Sequence, residues 1–225
     1  QVYQNKLNIE KISQNTVIKN IITVGLGKDF ESFFDAIESI TDSSELNRYT
    51  VYVYEGVYNT VFSEKIVSGY KGLIIPNYVD IIGIGNRDDI IIEGILPDGD
   101  YSNYANILST INLTMNNIVE NITIIAKNVR YCNHDDGSEF GMFRSEHTFR
   151  RVKFIYEKPT TGISVAGSCC GIGNQVDKHV IFEDCYFINK KTNGYGIFYH
   201  DNPNPTQQNC ARLEVKNCIF ETGST

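Results

Sequence analysis

Hydrophobic and polar residues alternate in short runs along most of the chain. After residue 40, runs rich in β-branched and aromatic side chains are separated by Gly, Asn and Asp, a pattern typical of short strands joined by tight turns. The predicted strands cover residues 49–54, 79–84, 89–93, 121–126, 152–156, 180–187 and 213–220. The pattern therefore predicts an all-β fold.

The first forty residues follow a different pattern. Residues 1–20 are polar and without a clear period, and we expect a linker or arm there. Residues 29–40 place apolar side chains at the i, i+3, i+4, i+7 spacing of a helix with one buried face, and Asp29 is a candidate N-cap. The sequence thus predicts one helix ahead of the strands.

Four strand segments repeat the order polar, apolar, variable, apolar. Their first apolar positions are Ile122, Val152, Cys185 and Cys218, which are 30, 33 and 33 residues apart. A near-constant interval is typical of the coils of a parallel β-helix, in which equivalent residues stack about 4.8 Å apart. We predict that these four residues form one inward ladder, and that the residues two positions later, Ile124, Phe154, Phe187 and Phe220, form the next. Chance similarity among strands is the alternative.

Composition and charge narrow the function classes. The net charge of −7 and the scattered Lys and Arg residues argue against nucleic-acid binding, which needs clustered positive charge. The apolar runs are strand-sized, so no membrane-spanning helix is predicted. The spacing of the six cysteines resembles no disulfide framework, and we expect Cys185 and Cys218 to be reduced thiols in the core.

His-Asp occurs twice, at His134-Asp135 and at His200-Asp201, 66 residues apart. Two coils of the repeat would place both pairs on one side of the solenoid about 10 Å apart. Imidazole and carboxylate groups bind sugar hydroxyls, so we predict a glycan-binding groove. Its walls are His134, Asp135, Asp136, Ser168, His200 and Asp201. The alternative is that these are ordinary polar turn residues.

Other polar residues receive structural interpretations. The two His-Asp pairs are too far apart to share one metal ion, and neither a metal nor a cofactor is expected. His147 beside Glu146 is predicted to be an exposed polar pair. Cys169-Cys170, flanked by Gly167 and Gly171, is predicted to lie in a turn.

Aromatic residues in polar surroundings give a second indication of glycan binding. The apolar face of a sugar stacks on an aromatic ring while its hydroxyls bond to neighbouring polar groups. Tyr101 and Tyr104 lie in a polar loop, and Tyr195, Phe198 and Tyr199 precede the second His-Asp pair. We add Tyr101, Tyr104 and Tyr199 to the predicted glycan site. The alternative is that these aromatic residues pack against the side of the solenoid or in a subunit interface.

The segment from residue 22 to residue 94 contains a series of short motifs: Ile22-Thr23-Val24, Gly27-Lys28-Asp29-Phe30, Ala36-Ile37, Tyr49-Thr50-Val51-Tyr52-Val53, Glu55-Gly56-Val57-Tyr58, Val79-Asp80-Ile81-Ile82-Gly83 and Ile90-Ile91-Ile92-Glu93-Gly94. With these motifs the segment resembles the opening of pectinesterases and other pectin lyase-like proteins, which begin with a strand, a capping helix and a Gly-x-Tyr turn. The resemblance implies a right-handed parallel β-helix over residues 21–225, capped by the N-terminal helix. We expect a further C-terminal region or a partner to cover the last coil.

The catalytic segments of pectinesterases are absent. The chain has no Trp and lacks the Asp-Phe-Ile-Phe-Gly and Gly-Arg-Pro-Trp segments, so no catalytic residue is assigned. The stretch Asn128-Val129-Arg130-Tyr131-Cys132-Asn133-His134-Asp135-Asp136 instead is similar to an Arg-Tyr-x-x-His-Asp coil of pectin lyase-like tail and baseplate proteins of phages that infect low-GC bacteria.

The second resemblance implies a phage tail or baseplate protein that recognises or positions cell-surface polysaccharide. It also implies other virion tail proteins as partners, a homo-oligomer such as a trimer, and a virion location after assembly in the bacterial cytoplasm. Secretion is the alternative location. The alternative functions are a polysaccharide lyase or esterase, with Asp135, Asp136, Glu139 and Arg144 as candidates, and a structural spacer in a virion.

Overall fold

The chain folds as a parallel β-helix with three sheets. The computed structural model describes residues 18–61, 72–96, 108–135, 145–157, 167–174, 177–201 and 212–223. Within these ranges all neighbouring strands pair in parallel, and the chain visits the three sheets in turn. This confirms the predicted parallel β-helix.

The strands of each sheet follow one another along the solenoid. Sheet A contains β1 (Ile18–Val24), β2 (Asn47–Tyr54), β5 (Val79–Ile84), β8 (Asn117–Glu120), β11 (Glu146–Arg150), β14 (His179–Glu183) and β17 (Arg212–Lys216). Sheet B contains β3 (Gly56–Val61), β6 (Ile90–Ile95), β9 (Thr123–Lys127), β12 (Lys153–Tyr156), β15 (Tyr186–Asn189) and β18 (Ile219–Thr222). Sheet C contains β4 (Gly72–Ile75), β7 (Ser109–Leu113), β10 (Tyr131–Asp135), β13 (Ser168–Asn174) and β16 (Tyr195–Asp201).

Both predicted ladders are confirmed. In the first ladder, the backbone amide that follows each ladder residue bonds to the ladder residue of the preceding coil. The amides of Lys153, Tyr186 and Ile219 donate to the carbonyl oxygens of Ile122, Val152 and Cys185, respectively. In the second ladder Phe154 pairs with Ile124 and Phe187, and Phe187 pairs with Phe220. The rings of the last three stack at centroid distances of 5.0 and 4.6 Å. The repeat therefore builds the core.

A left-handed residue turns the chain from sheet A into sheet B. Asn121, Arg151, Asp184 and Asn217 have φ between 51° and 57°, and each directly precedes a residue of the first ladder. Asn and Asp tolerate this conformation better than most residues. The predicted strands at 180–187 and 213–220 are consequently each two strands, divided at Asp184 and Asn217.

The predicted helix is shorter than residues 29–40. Helix α1 spans Phe33–Glu38, and the side chain of Ser32 accepts a hydrogen bond from Asp35 N as its N-cap. The N-cap role predicted for Asp29 is wrong, because its carboxylate accepts bonds from Thr23 N and Oγ1 at 2.9 and 2.7 Å instead. The helix contacts β1, β3 and β4, the first strand of each sheet, as a cap does.

The two ends of the solenoid bear on the predicted boundaries. Strand β1 begins at Ile18, so residues 18–20 belong to the solenoid and not to the predicted arm; residues 1–17 lie outside the described ranges. At the other end, Phe220 continues an inner ladder yet is 47% exposed. Covering of this end by more chain or by a partner stays a prediction. No helix in the described ranges is long and apolar enough to cross a membrane.

Candidate functional site

Sheet C brings the two predicted His-Asp segments into one sheet. Strand β10 carries His134 and Asp135, β16 carries His200 and Asp201, and β13 lies between them. The expected common side is therefore present, but both pairs lie in strands and not in turns. Their alignment also differs, because His134 pairs with Gly171 and Gly171 pairs with Phe198, 64 residues from His134. His200 is two positions further along, opposite Gly173.

One row of residues marks the outer side of sheet C. Ile74 pairs with Asn112, and the row continues through consecutive coils to His134, Gly171 and Phe198. Ile74 is 44% exposed, which identifies this side as the outer one. We call these five residues the outer row.

A second row on the same side carries hydroxyl groups. Ser109, Tyr131, Ser168 and Tyr195 pair in register across four consecutive coils. The ring of Tyr131 lies on the outer side, because a Cβ at Gly171 would be 2.7 Å from its Cζ. The same ring stacks on His134 at 5.0 Å between centroids. We call these four residues the hydroxyl row.

The paired rings of β10 recur two coils later. Tyr195 and Phe198 occupy the register positions of Tyr131 and His134, and their ring centroids are 5.8 Å apart. The coil between them contributes only Ser168 and Gly171 at these positions. The outer face of sheet C, defined as the outer row and the hydroxyl row, therefore carries two ring pairs separated by small residues.

Exposure differs between the two ring pairs. His134, Tyr131 and Ser168 are buried, whereas Tyr195 is 49% exposed and Phe198 is half-buried. The exposed positions predicted for His134 and Ser168 are therefore corrected. Of the two pairs, the one on β16 presents its rings to solvent.

Asp135 faces the interior of the solenoid. It pairs with Ile172, which in turn pairs with Tyr199, and the equivalent strands of earlier coils end in Ile75 and Leu113. Because the carboxylate is wholly buried, its predicted place on the wall of a groove is wrong. The reason is an internal partner, since Lys178 Nζ lies 2.6 Å from Asp135 Oδ1.

His147 completes this interior cluster. Its Nε2 lies 3.6 Å from Asp135 Oδ2, and the side chain is wholly buried, so the predicted exposed pair with Glu146 is wrong. Burial is the main cause that lowers the pKa of His147 to about 4, and it outweighs the opposing effect of Asp135. His147 is therefore neutral near pH 7. A buried Lys, a carboxylate and a neutral imidazole form the interior cluster.

The remaining predicted site residues divide between two groups. Tyr199 ends the inner row of Asp135 and is 42% exposed on the last described strand of sheet C. Asp136, Tyr101 and Tyr104 lie outside the described residues, as do the side chains of His200 and Asp201. Their roles in glycan binding stay predictions. In the described part of the chain, no group of three or more His, Cys, Asp or Glu side chains could hold a metal ion.

Sequence reasoning missed the residues that organise this region. Cys169 and Cys170 lie in β13 and are buried, so the predicted turn is wrong; pairing with β10 and β16 overrides the flanking glycines. No sequence pattern identified Lys178, because its contact with Asp135 joins residues that are 43 positions apart in the chain. A 64-residue interval between Tyr131 and Tyr195 could have revealed the hydroxyl row.

The strands and their registers decide the fold type. It is a parallel β-helix with three sheets. No family model matches the chain, and no curated protein matches it.

Three solved structures are similar to it. Pectin methylesterase from carrot is 13% identical, with a TM-score of 0.46 over 92% of this chain. Pectin methylesterase PemA from Erwinia chrysanthemi is 16% identical, with a TM-score of 0.47 over 92%. The pectin methylesterase from Aspergillus niger is 14% identical, with a TM-score of 0.43 over 91%. The chain spans 65% of the carrot enzyme and 67% of each of the other two.

Proposed function

We propose that this β-helix protein recognises or positions host cell-surface glycan through the outer face of sheet C, as part of a phage tail or baseplate. The observation that supports glycan recognition is the ring pair Tyr195 and Phe198 on β16. Tyr195 is half exposed, and no equivalent rings occupy the neighbouring positions Ser168 and Gly171.

A partly exposed ring pair suits a sugar. Pyranose rings offer an apolar C–H face for stacking, and their hydroxyls need donors and acceptors at the edge of the ring. Tyr195 supplies both a ring face and a hydroxyl. His200 and Asp201 belong to the same strand, and their part in glycan binding stays a prediction.

The described part of the outer face favours binding over hydrolysis. Glycosidic hydrolysis uses two carboxyl groups that flank the scissile bond. The outer row and the hydroxyl row contain no Asp or Glu among the described residues, and Asp135 is held inside by Lys178. A polysaccharide lyase or esterase is the second candidate, and a spacer in the virion is the third.

The setting of this activity rests on the resemblance of residues 128–136 to phage tail proteins. In that setting the partners are cell-surface polysaccharide and other virion tail proteins, and the chain forms a homo-oligomer such as a trimer. The protein would be assembled in the bacterial cytoplasm and function in the virion, with secretion as the alternative.

Incubation with purified wall and capsular polysaccharides from a panel of low-GC bacteria tests this function. Binding by sedimentation, without release of reducing ends, unsaturated sugars or ester groups, is the expected result. Release of product from any polysaccharide would favour the enzyme. Neither binding nor product across the panel, together with incorporation into a tail assembly, would favour the spacer.

A further inference from the structure

The interior cluster holds an amine and a carboxylate in contact and away from water. Lys178 Nζ lies 2.6 Å from Asp135 Oδ1, and the two side chains are 1% and 0% exposed. Neither carboxylate oxygen of Asp135 accepts a hydrogen bond of good geometry. Two buried charges therefore meet without the hydrogen bonds that usually offset the cost of removing them from water.

Burial distinguishes this pair from the other lysine ion pairs. In the described part of the chain, every other lysine that forms an ion pair is at least partly exposed. Lys190 Nζ lies 2.7 Å from Glu157 Oε1, nearly the same distance, but its side chain is 51% exposed. Water competes for both groups of that pair, whereas the protein excludes water from Lys178 and Asp135.

An imidazole lies beside the second oxygen of the same carboxylate. His147 Nε2 is 3.6 Å from Asp135 Oδ2, and neither ring nitrogen has a hydrogen-bond partner. Burial lowers the pKa of His147 to about 4, so the ring is neutral near pH 7 and able to accept a proton. A neutral imidazole close to the atoms that exchange protons is suited to relay them.

We propose that Lys178 and Asp135 condense into an isopeptide bond, an amide between the two side chains. Nζ attacks Cγ of Asp135, so that the Nζ–Cγ bond forms and the Cγ–Oδ2 bond breaks. Three protons start on Nζ: one stays on the amide nitrogen, and two reach Oδ2, which leaves as water. His147 relays protons to Oδ2 and is regenerated. The two charges cancel, and no other reactant is needed.

The fold supplies what the free side chains lack. Fixed contact turns the encounter of two groups into an intramolecular reaction. The amide carries no charge, so the cost of burying two ions disappears. Freshly folded protein holds the ion pair, and the amide forms from it. The bond would join residues 43 positions apart and lock β10 to the chain before β14. This inference does not depend on glycan binding.

Peptide mapping of the purified wild type, incubated in its folded state, tests the bond. The intact mass under denaturing conditions should be lower than the sequence mass by one water molecule. Trypsin digestion should give a branched peptide that joins Asp135 to Lys178. In the same digest Glu157 and Lys190 should remain unlinked, which makes them an internal control for an exposed pair. Lys178→Arg should keep the full mass.

The wild type alone decides the proposal, whether or not Lys178→Arg folds. Separate, unlinked peptides after prolonged incubation of the folded wild type would overturn it. Loss of water without a branched peptide would also overturn it, because a succinimide at Asp136-Gly137 gives the same mass.

His147→Leu tests the proton relay, because it keeps both reacting groups. In folded protein, verified by circular dichroism, the branched peptide should form about a hundredfold more slowly than in the wild type. An equal rate would show that His147 does not relay the protons.

Discussion

Lys178 Nζ lies 2.6 Å from Asp135 Oδ1, and both side chains are wholly buried inside the solenoid. The same ammonium group donates to the carbonyl oxygens of Asp135 and Gly173, at 2.6 and 3.2 Å. It therefore ties β10 to β13 at the side of sheet C where both strands end. In this inner row the neighbouring coils carry aliphatic side chains, so the pair replaces apolar packing with a charged contact.

Removing one partner of this ion pair should destabilise the fold strongly. Lys178→Met leaves a buried carboxylate without compensation, and we expect a loss of about 3 to 5 kcal/mol in the free energy of unfolding. The double variant Lys178→Met with Asp135→Leu should recover most of it, because Leu matches the aliphatic row. Denaturant titration measures both. A single variant within about 1 kcal/mol of the wild type would contradict the buried pair.

His147 should make stability depend on pH. Its folded pKa of about 4 lies below its ordinary value of 6.5, mainly because the imidazole is buried. Between these values the unfolded chain binds a proton that the folded chain does not, so stability falls as the pH falls through this window. We expect about 2 kcal/mol of loss from His147 between pH 7 and pH 5. His147→Leu should show a smaller loss; an identical pH profile would refute the assignment.

Arg151 occupies the left-handed corner position that Asn or Asp fills in three other coils. Its φ is 52°, and a side chain other than Gly, Asn or Asp is strained there. Arg151→Asn should therefore raise the free energy of unfolding by about 0.5 to 1 kcal/mol. The lost ion pair with Glu120 is exposed and contributes little. Thermal unfolding tests this, with Lys153→Asn on the adjacent strand as control; a clear decrease for Arg151→Asn would contradict the corner geometry.

Cys185 and Cys218 should be reduced thiols, as the ladder predicts. Cys185 Sγ donates to Phe149 O at 3.4 Å, and burial raises the pKa of this thiol to about 12. Alkylation of the native protein should therefore label Cys185 slowly, whereas denatured protein should be labelled at both positions. Mass analysis without reductant reads this out. A disulfide between the two residues would overturn the expected reduced state.

The sequence predicted the solenoid because its core repeats locally. Ile122, Val152 and Cys185 each follow a left-handed residue and directly precede a strand of sheet B, so one short pattern reports the corner, the strand and the interval together. Sheet C could not be predicted in this way. Its inner row is interrupted by Asp135, and the glycines of β13 are typical of turns, although neighbouring strands pair with it on both sides.

The site was predicted only to the level of the sheet. The interval between the His-Asp pairs correctly indicated one common sheet, but it missed the true 64-residue register that aligns His134 with Phe198. The Asp135 side chain points into the solenoid because it pairs with Lys178, which is 43 residues away in sequence. Contacts of this kind arise from the stacking of coils, and no local pattern of residues encodes them.

Binding of the purified, fluorescently labelled chain to intact cells of a susceptible low-GC bacterium tests the central claim most directly. The comparison is between the wild type, Tyr195→Ala on the outer face of sheet C and Tyr52→Ala on sheet A. We expect the wild type and Tyr52→Ala to bind alike, and Tyr195→Ala to bind about fivefold more weakly at an unchanged melting temperature, because stacking on one ring contributes about 1 kcal/mol. Equal binding by all three proteins would contradict glycan recognition through the outer face of sheet C.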